Sequence, residues 1–171
     1  GVVVELFCAG RIGAAESVEF VDVAQEVGIG FKHVNGASGR KYFPETMGGG
    51  AAFFDYDGDQ DLDIYLVNGA ALPGYQAVRP PANALYENEG GVFAEVGAAA
   101  GVDDVGYGMG CAAADYDNDA DLDLYLSNYG ANVLYRNEGS GRFTDVTASS
   151  AVGDTSWSTS CAFLDYDNDG D

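Results

Sequence analysis

Cations are what this 171-residue chain has least of: seven Lys and Arg stand against 28 Asp and Glu, a net charge of −21. A surface so poor in positive charge has no footprint for a phosphate backbone, which excludes nucleic acid as a partner. Proline is scarce as well, at four, while 47% of the residues are apolar, and this excludes a disordered polar chain. No run of 18 apolar residues occurs, so no membrane span is expected. The three cysteines, Cys8, Cys111 and Cys161, form no C-x-x-C pair, which excludes a zinc ribbon and a thioredoxin-like site. The one histidine, His33, stands in Lys-His-Val-Asn without a nucleophile motif and reads as a structural or surface residue. G-x-S-x-G, H-E-x-x-H, the P-loop and C-x-x-C-H are all missing. Gly108-Met-Gly110-Cys-Ala-Ala113 matches a dinucleotide fingerprint only on paper, because an aspartate loop follows it where a helix would be required. No catalytic residue is expected.

What the chain does contain is copies of itself. The stretch from Met47, MGGGAAFFDYDGDQDLDIYLVNG, returns from Gly108 as GMGCAAADYDNDADLDLYLSNYG and from Ser158 as STSCAFLDYDNDGD. Asn83-Ala-Leu-Tyr-Glu-Asn88 is matched by Asn132-Val-Leu-Tyr-Arg-Asn137. Phe20-x-Asp22-Val23, Phe93-x-Glu95-Val96 and Phe143-x-Asp145-Val146 recur in turn, trailed by Gly28-Ile29, Gly101-Val102 and Ala151-Val152. The apolar residues alternate with period two between Gly and Asn, which predicts strands, while Glu89-Gly-Gly91 and Glu138-Gly-Ser-Gly141 supply hairpin turns. Helix is expected only as turns at Val23 to Val27 and Glu95 to Ala100.

Each unit is then a four-stranded antiparallel sheet: a glycine-rich inner strand, Gly48 to Phe54 in the first, the strand after the acidic loop, and a hairpin. One such sheet cannot bury both faces alone. Units recurring every 50 to 60 residues predict an all-β chain, a β-propeller, with a linear stack of sheets as the alternative. The blades are expected at about 47–97, 107–147 and, cut short, 157–171, with Glu19 to Val23 as the last strand of an earlier one. The chain opens on Gly1 and stops inside the third acidic loop, so it reads as a fragment with about two complete blades and a partial blade at each end. Residues 1–18 are expected to be an N-terminal segment left from a linker or targeting region.

The chemistry lies in the loops. Asp55, Asp57, Asp59, Asp61 and Asp63 fall at alternate positions, as do Asp115, Asp117, Asp119, Asp121 and Asp123; the third copy holds Asp165, Asp167, Asp169 and Asp171. Five, five and four make fourteen carboxylates, half of all the acids in the chain. Two unit charges about 5 Å apart repel by roughly 0.8 kcal/mol in water and about 3 kcal/mol at an effective dielectric of 20. Such loops call for a cation, and a ring of hard oxygens favours Ca²⁺ over Mg²⁺, in two complete sites and a third truncated one. Side-chain oxygens are expected at positions 1, 3, 5 and 9, and a backbone carbonyl at 7, with the tyrosine at position 2 turned away to pack. The EF-hand is excluded, because position 12 is Leu66 or Leu126 inside a strand. Gln60 and Ala120 occupy position 6, where a left-handed backbone would strain any residue but glycine.

Outside the loops, Glu45 is read as a turn former that could face a central channel, and Trp157 and the eleven tyrosines as packing between blades. Cys111 and Cys161 stand at equivalent places on stacked sheets, too far apart for a disulfide.

The run DxDxDGxxD between a small-residue strand and an apolar one resembles the calcium loop of FG-GAP and VCBS repeats. Val21-Asp-Val23, Gly28-Ile-Gly-Phe-Lys-His33-Val-Asn-Gly36, Pro44-Glu-Thr-Met-Gly48, Asn83-x-Leu-Tyr-x-Asn88 and Tyr107-Gly-Met-Gly110 are similar to the cartilage acidic protein (ASPIC/UnbV) family of secreted propellers. The resemblance implies a non-catalytic calcium-binding module, secreted or on a cell surface, that binds an extracellular protein or glycan and serves adhesion. The alternative it leaves is the scaffold of a calcium-dependent polysaccharide lyase or hydrolase; an electron-transfer propeller is the weaker third.

Overall fold

The alternating apolar runs of the two complete repeats become two four-stranded antiparallel sheets in the computed structural model, which describes residues 18–167. β1 (Ala51–Phe54), β2 (Asp63–Leu66), β3 (Ala84–Glu89) and β4 (Val92–Glu95) lie side by side in chain order. β5 (Gly108–Ala114), β6 (Asp123–Asn128), β7 (Val133–Asn137) and β8 (Phe143–Asp145) repeat that order. The register repeats too, with Phe54 opposite Asp63 in the first sheet and Ala114 opposite Asp123 in the second. Gly90 and Gly91, at φ 62° and 94°, turn the hairpin between β3 and β4, a path that side-chain-bearing residues follow only under strain.

Among the described residues the α-helical content is two single turns, α1 (Gly97–Ala100) and α2 (Thr147–Ser150). Each follows the last strand of its sheet and ends on a left-handed residue, Gly101 at φ 85° and Ala151 at φ 57°. The turn after Val23 ends in the same way at Gly28, φ 97°. The third recurring phrase is therefore a structural unit in all three copies. Glu19 to Val23 themselves pair with no strand among the described residues, contrary to the expectation of a last blade strand. A strand needs a neighbour to bond to, and the segment is held instead by its turn, where the Phe93 N–H reaches the Val27 carbonyl at 2.7 Å. The opening of the third repeat also forms no ladder: Trp157 makes one bridge with Tyr129, and the Ser158 N–H reaches the Asn128 carbonyl at 3.1 Å. The inner strand of the first sheet is shorter than expected, because Gly48 to Gly50 precede the ladder; only the Gly50 carbonyl continues it, by accepting the Val67 N–H.

The main core lies between the sheets. Phe54, Tyr65, Val67 and Leu85 of the first face Leu124, Leu126, Tyr135 and Phe143 of the second. The opposite face of the first sheet, Ile64, Ala84 and Tyr86, is covered by Ala24 and Ile29. The period-two pattern thus serves two apolar faces, as repeats that bury both sides must. Hydroxyls seal the edges: Tyr65 Oη donates to the Val102 carbonyl and Tyr125 Oη to that of Val152, at 2.7 and 2.9 Å. Trp157 packs edge-on against Phe43 and Tyr129, with ring centroids 5.5 and 5.2 Å away. Cys111 and Cys161 are both free thiols.

Two features position the loops. Small residues let the inner segments touch, since a Cβ built on Gly50 would sit 2.8 Å from the Gly110 Cα, and one on Gly110 would sit 3.5 Å from the Ser160 Cα. Asparagine pairs close the link from β2 to β3 and from β6 to β7: Asn83 Oδ1 accepts the Asn68 N–H at 2.7 Å, and Asn132 Oδ1 accepts the Asn128 N–H at 2.8 Å. The acidic loops and the hairpin tips then share one rim, while these links and the helical turns occupy the other. Replacing Gly50 by valine should cost about 1–3 kcal/mol, the range for overpacking, because the obstacle is backbone. Chemical denaturation of the variant checks this, with an unchanged midpoint as the contrary result.

Candidate metal centre

Between β1 and β2 the chain must reverse within eight residues, and it does so around its own first carboxylate. Asp55 Oδ1 accepts the N–H groups of Gly58 and Asp59 at 2.8 and 3.1 Å, and Oδ2 that of Gln60 at 2.9 Å. Asp59 Oδ1 accepts the Asp61 N–H at 2.8 Å. The second loop repeats the pattern: Asp115 accepts from Asp119 and Ala120, and Asp119 from Asp121. This winding puts Gly58, Gln60, Asn118 and Ala120 at φ 82°, 76°, 60° and 75°. The left-handed backbone expected at position 6 is present in both loops.

The ninth carboxylate is the anchor. Asp63 is 1% exposed and Asp123 fully buried, each at the first position of its strand. Asp63 Oδ2 accepts the Tyr56 N–H at 3.0 Å and Oδ1 the Asn88 N–H at 2.8 Å; Asp123 accepts from Tyr116 and Asn137 at the same distances. Burial pushes the Asp63 carboxyl up to about 6, opposed by the two N–H groups and assisted by the charges of Asp57 and Asp59. Asp123 is raised for the same reasons.

One oxygen each from Asp55, Asp57 and Asp63 lie within 4.8 Å of one another, and Asp115, Asp117 and Asp123 form the same group. Ligands on one Ca²⁺ at 2.3–2.6 Å stand at most about 4.6–5.2 Å apart, so both triads fit that ion's sphere. Asp59, Asp61, Asp119 and Asp121 lie outside these groups. The Asp61 side chain is engaged elsewhere, accepting the Gly90 N–H at 3.0 Å and tying the hairpin tip to the loop. Of the third loop, Asp165 and Asp167 belong to no triad among the described residues, and Asp169 and Asp171 lie outside them.

Tyr56, at position 2, packs as expected, its ring stacked on Phe143 of the second sheet at 6.4 Å. Glu45 is a turn residue: its Oε1 accepts the Tyr42 N–H at 3.0 Å at the head of a single 3₁₀ turn, Phe43–Thr46. His33 is exposed. What the loop spacing does not reveal is the part played by Asn88 and Asn137. Their backbone N–H groups hold the ninth carboxylates, and their side chains reach the carbonyls of Leu62 and Leu122 at 3.0 and 3.2 Å. The signal was the repeated phrase in which each closes an N-x-Leu-Tyr-x-N run.

The family described as FG-GAP-like repeat matches the chain twice, over residues 55–126 and 115–171. Each match opens on the first aspartate of a loop. Repeats of this kind are generally non-enzymatic and typical of extracellular proteins. No curated protein matches the chain. Among the described residues no helix is long and apolar enough to cross a membrane.

Two outcomes follow from the loop geometry. Ala120→Gly removes a Cβ from a left-handed position and should stabilise the cation-free chain by about 1 kcal/mol, read as a higher Tm in EDTA. For Asp63 the folded state holds its proton to about pH 6, whereas the unfolded chain releases it near pH 3.9. The unfolded state therefore binds fewer protons across this window, and the carboxyl makes the cation-free fold less stable as pH rises from about 4 to 6. Asp63→Asn should flatten that decline in urea titrations run across the window.

Proposed function

The chain belongs to the FG-GAP-like repeat family, and on that premise we propose that it is the calcium-stabilised part of an extracellular β-propeller of the ASPIC/UnbV kind. In this reading the module is non-catalytic and presents its rims to a protein or glycan partner, with Ca²⁺ as a structural ion. The observation that carries it is the pair of carboxylate triads at equivalent places on successive sheets. Each joins the end of an inner strand to the first residue of the next, so an ion held there cross-ties two strands and offsets the repulsion within the loop. The same triad arising twice, around the same buried ninth carboxylate, is what a ligand requirement would preserve and a merely solvated acidic surface would not. Asp59 and Asp119, the position-7 carbonyls and water would complete the six to eight oxygens that calcium takes. Sites assembled from exposed loops suit the weak affinities of extracellular modules, where calcium is abundant.

Closure into a ring is the extension of the contacts between Gly50, Gly110 and Ser160, where one inner segment follows the next. A partner surface is available on the rim away from the carboxylates, where Phe43, Tyr129 and Trp157 form an exposed aromatic run of the kind that stacks on sugar or peptide.

Linkage supplies the test. Calcium at a hundred times its dissociation constant should add about 2.7 kcal/mol per site, and so raise Tm by several degrees over the same protein in EDTA. Asp63→Asn with Asp123→Asn should abolish most of that rise. Superimposable melting curves with and without calcium would refute the structural role of the ion.

A further inference from the structure

The two acidic loops are joined by one side chain. Asn137 closes β7 in the second sheet, is 1% exposed, and faces the first sheet. Its Nδ2 donates to the Tyr56 carbonyl, 81 residues away in the first loop, at 2.7 Å, and to the Leu122 carbonyl in the second loop at 3.2 Å. Its Oδ1 accepts the Gly139 N–H at 3.1 Å, which fixes the orientation of the amide. Its backbone N–H holds Asp123 Oδ1 at 2.8 Å. Tyr56 stands between Asp55 and Asp57 of the first triad, and Leu122 directly precedes Asp123 of the second. One residue therefore grips the backbone of both triads while touching no carboxylate of the first.

We propose that Asn137 couples the two loops, so that a cation held by Asp55, Asp57 and Asp63 raises the affinity of Asp115, Asp117 and Asp123, and the reverse. The inference rests on the calcium reading above. An ion in the first loop fixes Asp55 and Asp57 and with them the Tyr56 carbonyl between; that carbonyl holds the Asn137 amide, and Asn137 holds Asp123 and the peptide before it. Each loop thus has part of its ordering done by its neighbour. Filling one reduces what the other must still order, and the effect is reciprocal by thermodynamic necessity. Asn88, the equivalent in the first sheet, has the same inward grip on Asp63 and Leu62 but reaches no other acidic loop among the described residues. It is the internal control.

Calcium titration of the 171-residue chain, followed by the backbone amide resonances of Gly58 for the first loop and Asn118 for the second, reads the two loops separately. Asp115→Asn with Asp117→Asn disables the second loop; the first should then bind about tenfold more weakly, within the 5–150-fold span usual for coupled sites. In an Asn137→Ala background, disabling the second loop should leave the first unaffected, whereas in an Asn88→Ala background the tenfold difference should persist. Should Asn137→Ala fail to fold, the Asn137 side-chain amide resonances of the Asp115→Asn, Asp117→Asn protein give the answer, because they should move as the first loop fills. A first loop indifferent to the second, or Asn137 resonances that stay still, would overturn the coupling and leave the calcium reading standing. No calcium uptake by either loop would overturn both.

Discussion

Everything on the acidic rim depends on two carboxylates placed where carboxylates are costly. Asp63 and Asp123 are buried at the heads of their strands, and an isolated charge there would be prohibitive. Each is compensated by two backbone N–H groups, one from the start of its loop and one from the third strand of its sheet. The anchor thereby fixes three segments relative to one another. The loop winds around its first carboxylate, whose bond to the position-6 N–H holds Gln60 and Ala120 in a backbone conformation that neither favours.

The same economy operates between the sheets. The apolar contact of Leu124, Leu126 and Phe143 with Phe54, Tyr65 and Leu85 belongs to the largest of the buried clusters among the described residues but is non-directional. Direction comes from the polar contacts at its margins. On one rim these are Asn137 with Tyr56; on the other, the Tyr65 hydroxyl on the Val102 carbonyl. Glycines at the inner edge bring backbone against backbone and set how closely the sheets approach.

Much of this was legible in the sequence, because repetition amplifies weak signals. Eight strands, their order, the hairpin glycines and the loop positions all follow from phrases that occur two or three times. The exclusion of an EF-hand follows as well, with Leu66 and Leu126 falling inside β2 and β6. Glu19 to Val23 and the segment from Ser158 form no ladder among the described residues, because a repeat phrase encodes a side-chain pattern, whereas a ladder requires a neighbour. The inward-facing triads were legible only in part: period-two spacing marks five acids per loop, but which of them converge depends on how the loop winds around Asp55. Asn88 and Asn137 were visible as letters of a phrase and silent as to role, since an asparagine closing a strand looks the same whether it bonds to water or to the next loop.

The asparagine pairs that close the links from the second strand to the third have a different implication. Asn68 and Asn83 span fifteen residues, Asn128 and Asn132 only four, yet the hydrogen bond is the same to within 0.1 Å. Lengthening a closed loop by that factor costs only about 1 kcal/mol of chain entropy. The pair behaves as a zip fastener whose slider sits at the base, indifferent to how much cloth hangs beyond it. Evolution can therefore enlarge, shorten or exchange what projects there without disturbing the carboxylate rim on the far side, and novelty in such an array should accumulate at these hems.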